Sequence, residues 1–484
     1  MNQPTPAIYW FRQDLRIDDL PALQAATAGG RPIIPCFILD DDSPGEWALG
    51  GASRWWLHHS LTSLQESLKS RGGQLLVRRG STVEELLALV QETGATDIYC
   101  SEAYEPWSRN LEQDLAEHLT LSGASLHCLP GSLFFGPQNI RNGSGLPFKV
   151  FTPFWRHCMQ KQPEPLAPTA TPLRPGQFFQ HSLSRLTEAQ WQLLPHCPNW
   201  AAHWHDHWSP GQAGARETLS TFVTETLCGY EKGRDFPSRN ASSRLSPHLH
   251  WGEISPRQAW VAVKNVTDVD EADQRKFITE LGWRDFNHHL LYHFPHITNQ
   301  PFKRSFEQMP WLGSDDLFAA WREGRTGYPI VDAGMRELWQ TGFMHNRVRM
   351  ICASFLTKHL LLPWQWGARW FWDTLVDADL ANNSGGWQWV AGCGADASPW
   401  FRIFNPVLQG KKFDAEGEYV RRWVPELAAL TDRDLHSPWE TPPMMLEAVG
   451  VSLGKTYPLP IVDHKQARLA ALGAYEAVSN ASAG

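Results

Sequence analysis

DADLANNSGGWQWVAGCGADASPWFRIFNP, from Asp377 to Pro406, packs two carboxylates, twin amides, two glycines and two indoles into its first thirteen residues. The aromatic-rich run before it reads as a helix over Trp364 to Leu380. Asn-Asn-Ser-Gly-Gly, residues 382–386, reads as the break that ends that helix. Glycine permits a sharp turn and lets a ligand approach the main chain, because no Cβ stands in the way. Asp377 and Asp379 precede this break, and Trp387 and Trp389 follow it. Taken singly, each is a helix end or a core aromatic; their combination points to a bound ligand.

Working outward, the N-terminal third alternates short β-rich runs with helical ones. AIYWF (7–11), PIIPCFIL (32–39), QLLVRR (74–79), DIYCSEAY (97–104) and ASLHCLP (124–130) read as strands. SRWWLHHSLTSLQESLKSRGG and STVEELLALVQETG read as helices ending in Gly, the second opened by Ser81 and Glu84 at capping-box spacing. Such alternation predicts an α/β fold with a doubly wound parallel sheet. No GxGxxG follows the first strand, so the common dinucleotide fingerprint is missing. Proline density from Lys161 to about Gly214 predicts an extended connector over the surface, and beyond Ala215 helices dominate. The expected units are residues 1–131, a connector over 132–213, and a large all-helical domain over 214–484.

The chain has 43 basic and 51 acidic residues, a net charge of -8, which argues against general attraction to polyanions. A nucleic-acid surface must then be a local basic patch. Eight cysteines, the nearest two twenty-eight residues apart, offer neither a CxxC zinc element nor a compact disulfide framework. With no membrane-length apolar run, and acidic residues in the N-terminal segment, the expectation is a cytoplasmic protein. His203, His205 and His207 alternate with Trp in a loop and read as solvated histidines, so no metal is expected. Twenty-five Trp against nine Tyr is an excess that favours stacking or redox work over plain packing.

Three further blocks carry chemistry. Ser242, Ser243 and Ser246, beside Arg244 at a loop-to-helix junction, form a candidate anion cradle. Glu280, Trp283 and Arg284 share one side of a helix by i, i+3, i+4 spacing. In GFMHNRVRMICASF, Met344, Val348, Ile351 and Phe355 fall in one core-facing arc, whereas Asn346 and Met350 lie opposite, as for a second surface.

Together with WFRQDLR (10–16), GEYVRRWVPEL (417–427) and YPLPIVDH (457–464), these blocks resemble the photolyase and cryptochrome family over nearly the whole chain. The likeness is to DNA photolyases acting on cyclobutane pyrimidine dimers, nearest the bacterial class I branch. It implies an N-terminal domain for a light-harvesting antenna and a helical half holding FAD, active in its reduced anionic form. It implies light-driven repair by electron transfer from photoexcited reduced FAD to a flipped-out dimer. FAD contacts fall on Tyr230, Ser242, Ser243, Leu245, Ser246, Arg284, Arg349, Asp377 and Asp379, with Arg349 paired to Asp377 and Asn383 opposite flavin N5. The dimer falls on Glu280, Asn346 and Met350 between the walls of Trp283 and Trp389, and Glu280, buried beside a dimer gaining an electron, is expected to be protonated and to donate to the radical anion. Trp387, Trp364 and Trp311 match an electron relay, and Arg234, Arg347 and Arg402 match phosphate contacts. The antenna implied is methenyltetrahydrofolate, although Trp107 and Ser108 stand where folate-binding relatives carry an Asn-Glu pair. UV-damaged DNA is the partner implied, with no membrane, no obligate protein partner and a monomeric state. The alternatives are a cryptochrome-type photoreceptor, a 6-4 photolyase, and a nucleotide-binding α/β protein without photochemistry. Asn346, Met350, Asn383 and a short tail after VDH favour repair.

Overall fold

A computed structural model describes residues 5–161, 167–400 and 402–481. Five parallel strands, β1 (Ala7–Phe11), β2 (Ile33–Leu39), β3 (Leu76–Arg79), β4 (Asp97–Ser101) and β5 (Ser125–Leu129), form one sheet in the order β3-β2-β1-β4-β5. β1 and β2 are buried at every position because helices cover both faces. The two-residue period of β1 sends Ala7, Tyr9 and Phe11 into a core with Trp55, Trp56 and Leu61, and Ile8 and Trp10 into another with Leu86, Leu89 and Leu115. Ser81 caps the Thr82–Thr93 helix by accepting from Glu84 N, and Gly94 closes it in the left-handed conformation. β4 stops at Ser101, three residues short of the run read from sequence.

The connector departs from expectation. The Phe151–Lys161 helix lies inside the 132–213 segment, and downstream Leu173, Phe178, Trp191, Leu193, Trp204 and Trp208 are buried in the α/β core. Phe178 bridges to Ile33 beside β2. Proline excludes long regular elements but does not keep the aromatics between prolines out of a core. The PEPL portion, residues 163–166, lies outside the described residues. His203, His205 and His207 are exposed, and among the described residues no cluster of His, Cys, Asp and Glu could hold a metal ion.

Helices fill the rest of the chain. Two buried polar knots fasten the halves together. Arg16 donates to the carbonyls of Gly131 and Gly252, and Glu253 accepts from Trp56 Nε1 and Gly211 N. Among the described residues no helix is long and apolar enough to cross a membrane, and all eight cysteines are free thiols.

The run read as a break is instead the first half of the Leu380–Ala391 helix. The chain turns earlier, at Leu375–Asp379, after the Trp364–Thr374 helix. Asp379 is the N-cap, accepting from Asn382 N. Neighbouring helices hold the amides: Asn382 accepts from Asn287, and Asn383 donates to the carbonyl of Ala368. Gly392, at φ 84°, ends the helix.

Candidate active site

Three helices, Glu271–His293, Asn346–Ser354 and Leu380–Ala391, enclose a chamber of about 650 Å³ in the C-terminal half. Each presents both polar and apolar side chains to it. The stripe Met344, Val348, Ile351 and Phe355 is buried in the main core. That burial turns Asn346 and Met350 to the chamber wall, together with Arg347 and Arg349. The Glu271–His293 helix supplies Glu280, Trp283, Arg284 and Asn287. The Leu380–Ala391 helix supplies Asn382, Asn383, Gly386, Trp387 and Trp389. A Cβ on Gly386 would meet nothing within 4 Å, so this glycine leaves room at the wall.

The two acidic residues before the turn have different partners. Asp377 accepts from Arg349 Nη2 at 3.0 and 2.9 Å through its two oxygens. Asp379 is buried with His250 Nδ1 at 3.5 Å and His288 Nε2 at 3.4 Å from its Oδ2. Burial raises the Asp379 carboxyl, but His288 and His250 outweigh it, and its pKa lies well below the usual carboxylate range.

Glu280 does not behave as expected. Burial raises its pKa, but Arg234 and then Lys276 outweigh that effect and leave it below the ordinary value. It ion-pairs with Arg234 Nη1 and, at 2.9 Å, with Lys276 Nζ, two cations that favour its ionised form. Arg234 consequently lies inside the chamber under Tyr230, with its guanidinium carbon 5.4 Å from that ring, rather than on an open rim. Arg347 pairs with Asp235 at 2.8 Å and covers Phe413. Arg402, Lys411 and Lys412 are exposed, and Arg402 does not line the chamber.

Ser243 and Ser246 line the chamber, Ser243 also lines an adjoining cleft with Ser242, Arg244 and His207, and Leu245 is buried. Arg244, at φ 52°, turns its guanidinium onto Trp208 and Phe343.

The indoles are placed unequally. Trp283 stacks on Phe151 with centroids 3.8 Å apart. Trp387 is buried on Gly367, where a Cβ would stand 2.0 Å from its ring, and lies edge-on to Phe371 and Trp321. Trp364 is buried, and half-buried Trp311 meets Trp400 at 6.4 Å.

Sequence reasoning passed over His250, His288, Asn287 and Lys276. Lys276 was legible as a helical i, i+4 partner of Glu280. The histidines carried no such signal, because Asp379 is about ninety residues from His288 in the chain.

Known proteins share this architecture. Residues 277–477 match the family described as FAD binding domain of DNA photolyase, and residues 7–173 match the DNA photolyase family. A deoxyribodipyrimidine photo-lyase of Agrobacterium fabrum is 48% identical over 476 residues, 98% of each chain. The chain belongs to the DNA photolyase family. Cryptochrome-1 of Arabidopsis thaliana is 38% identical over 96% of this chain and 69% of its own length. The solved structure of a bacterial class III photolyase from Agrobacterium tumefaciens superposes with a TM-score of 0.95 at 47% identity, over 99% of each chain.

The photolyase family's FAD fits the residues present. Arg284, Arg349, Asn346 and Asn383 share the chamber wall with Trp387 and Trp389, a set of hydrogen-bonding groups beside flat apolar ones that suits a polar ring ligand. The chamber volume is that of a cofactor site. Asp377, Asp379, Asn383, Arg284 and Arg349 would hold the ring system, with Ser243, Ser246 and Tyr230 toward the phosphates.

Proposed function

We propose that this chain is a deoxyribodipyrimidine photo-lyase that repairs cyclobutane pyrimidine dimers in DNA under blue light. The observation that carries this reading is the shared chamber. Asn346, Met350, Glu280, Trp283 and Trp389 line the same space as Asp377, Asp379 and Asn383, so a lesion and a flavin would occupy one enclosure. Bound and reduced, FAD supplies a light-activated one-electron donor. The protein's part is to bind, orient and exclude water. Trp283 and Trp389 offer flat walls for a flipped dimer, with Trp283 stiffened by its stack on Phe151. Met350 adds a conforming apolar contact. The ionised Glu280 can accept from base N–H groups, and Asn346 can both donate and accept. Asn383, fixed through its amide nitrogen to Ala368, keeps its oxygen available at the flavin position without adding a charge.

Trp387, Trp364 and Trp311 form the proposed relay to the surface. Exposed Arg402, Lys411 and Lys412 are the groups free for phosphate contact; Arg234 and Arg347 would first leave Glu280 and Asp235. The functional units proposed are 1–131 for an antenna, 132–213 as connector and 214–484 for catalysis, in a monomeric, cytoplasmic protein. Methenyltetrahydrofolate is the antenna proposed.

A cryptochrome-type photoreceptor is the second reading, favoured by the 38% identity to Cryptochrome-1. An absorption spectrum of the purified protein, followed by competition between oligonucleotides carrying cyclobutane dimers and 6-4 products, separates the possibilities. Flavin bands with loss of cyclobutane dimers support the proposal. Flavin bands with neither lesion repaired favour the photoreceptor.

A further inference from the structure

Behind the chamber wall is a buried histidine with a carbonyl oxygen hydrogen-bonded at one ring nitrogen and a carboxylate at ion-pair distance from the other. His288 Nδ1 lies 2.9 Å from the carbonyl oxygen of Arg284, and its Nε2 lies 3.4 Å from Asp379 Oδ2. Both partners can only accept. A neutral imidazole has one N–H, so either tautomer would set a nitrogen lone pair against an oxygen lone pair; only the imidazolium donates on both sides. Asp379 Oδ1 is meanwhile engaged by Asn382 N at 2.8 Å. The ring is buried, so water cannot replace either contact.

We propose that His288 is a standing imidazolium and a positioning residue: it fixes the Asp379 carboxylate at the cofactor wall and answers its charge, so that an anionic ligand is held more tightly than a neutral one. This rests on the flavin reading above. Asp377 has Arg349 as its counter-ion. Without the His288 proton, Asp379 would present an unbalanced carboxylate to a reduced, anionic ring system. With it, the wall is neutral or positive, and the anion is favoured. His288 keeps its proton throughout and transfers none.

The groups facing the ring agree with this assignment. Burial lowers the His288 pKa, but attraction to Asp379 outweighs it and leaves the value above that of an ordinary histidine. Arg284 opposes the charge through space while accepting the ring's proton at its carbonyl. Asp285, next in sequence, feels His288 as a stabilising positive charge. Tyr104 meets the ring edge-on at 6.0 Å and places no second cation there. His250 Nδ1 also faces Asp379 Oδ2, at 3.5 Å, but unlike His288 it has, among the described residues, no backbone carbonyl bonded at its second nitrogen.

The test has two arms. Nitrogen NMR of histidine-labelled protein, with the His288 resonances assigned by their loss in His288→Gln, should show both ring nitrogens protonated at mildly alkaline pH, with or without flavin. A neutral ring there overturns the proposal. In flavin-loaded protein, His288→Gln should lower the reduced-to-oxidised flavin ratio at a fixed applied potential by on the order of tenfold, and His288→Arg should recover most of it. An unchanged ratio in His288→Gln overturns the proposal as well. A protein that purifies without flavin, or that fails to repair dimers, would strike the functional reading instead, and the NMR arm would still decide the state of His288.

Discussion

Two buried charges, Arg16 in the sheet half and Asp379 in the helical half, show how structure and function use the same expensive device. Arg16 is fully buried, and its guanidinium donates to the carbonyls of Asp18, Asp19, Gly131 and Gly252 at 2.8–3.0 Å. Each of the three nitrogens has a carbonyl partner, and the knot ties the loop after β1 to the helical half. Asp379 is also buried, but its Oδ2 meets His250 and His288 only at ion-pair distances of 3.5 and 3.4 Å, and the residue lines a chamber. A saturated buried charge holds a fold together. One left partly unsatisfied beside a void is a place for a ligand.

The comparison breaks first at Arg16. Replacing it by Met leaves several buried carbonyls without donors, and stability should fall by about 3–5 kcal/mol, read from the urea midpoint. Asp379→Asn keeps an acceptor for Asn382 N and should therefore cost less stability than the Arg16 change, while flavin content of the purified protein falls at least about tenfold. Equal loss of stability in the two variants would erase the distinction.

Gly367→Ala sharpens the contrast at smaller scale. The new methyl meets the Trp387 ring, so overpacking should cost about 1–3 kcal/mol and disturb photoreduction. The pH dependence follows the depressed Asp379 carboxyl. Its contribution is fully present above the ordinary carboxylate value of about 4 and is lost as pH falls through the lower folded value. Acid denaturation of Asp379→Asn should therefore lack that component. The smallest effect belongs to the exposed rim: Lys411→Ala should weaken DNA binding modestly and reduce the slope of log affinity against log salt by about one.

Much of this was legible from local pattern. The five strands, the Ser81 cap and the stripe from Met344 to Phe355 follow from period and capping chemistry. Asn346 and Met350 were separated from the core by the same arithmetic. What was misread depended on distant partners. Asn382 and Asn383 look like a helix end in isolation, but Asn287 and Ala368 occupy their side chains and the helix continues. Glu280 looked like a buried acid because Arg234, its main counter-ion, lies more than forty residues upstream. Three histidines in NHHLLYH are alike in sequence; only the fold brings His288 to Asp379. Trp204 and Trp208 sit among prolines, yet their indoles fill the α/β core.

The central claim is that the partly unsatisfied chamber unites a reduced flavin with a DNA lesion. Chemically reduced holoprotein, illuminated with blue light on a thymine-dimer oligonucleotide and analysed by chromatography, tests it directly. Restored thymines that depend on light are expected, with repair weakened in Asn346→Ala and Met350→Ala. Dimers left intact by flavin-loaded, reduced, illuminated wild-type protein would contradict it.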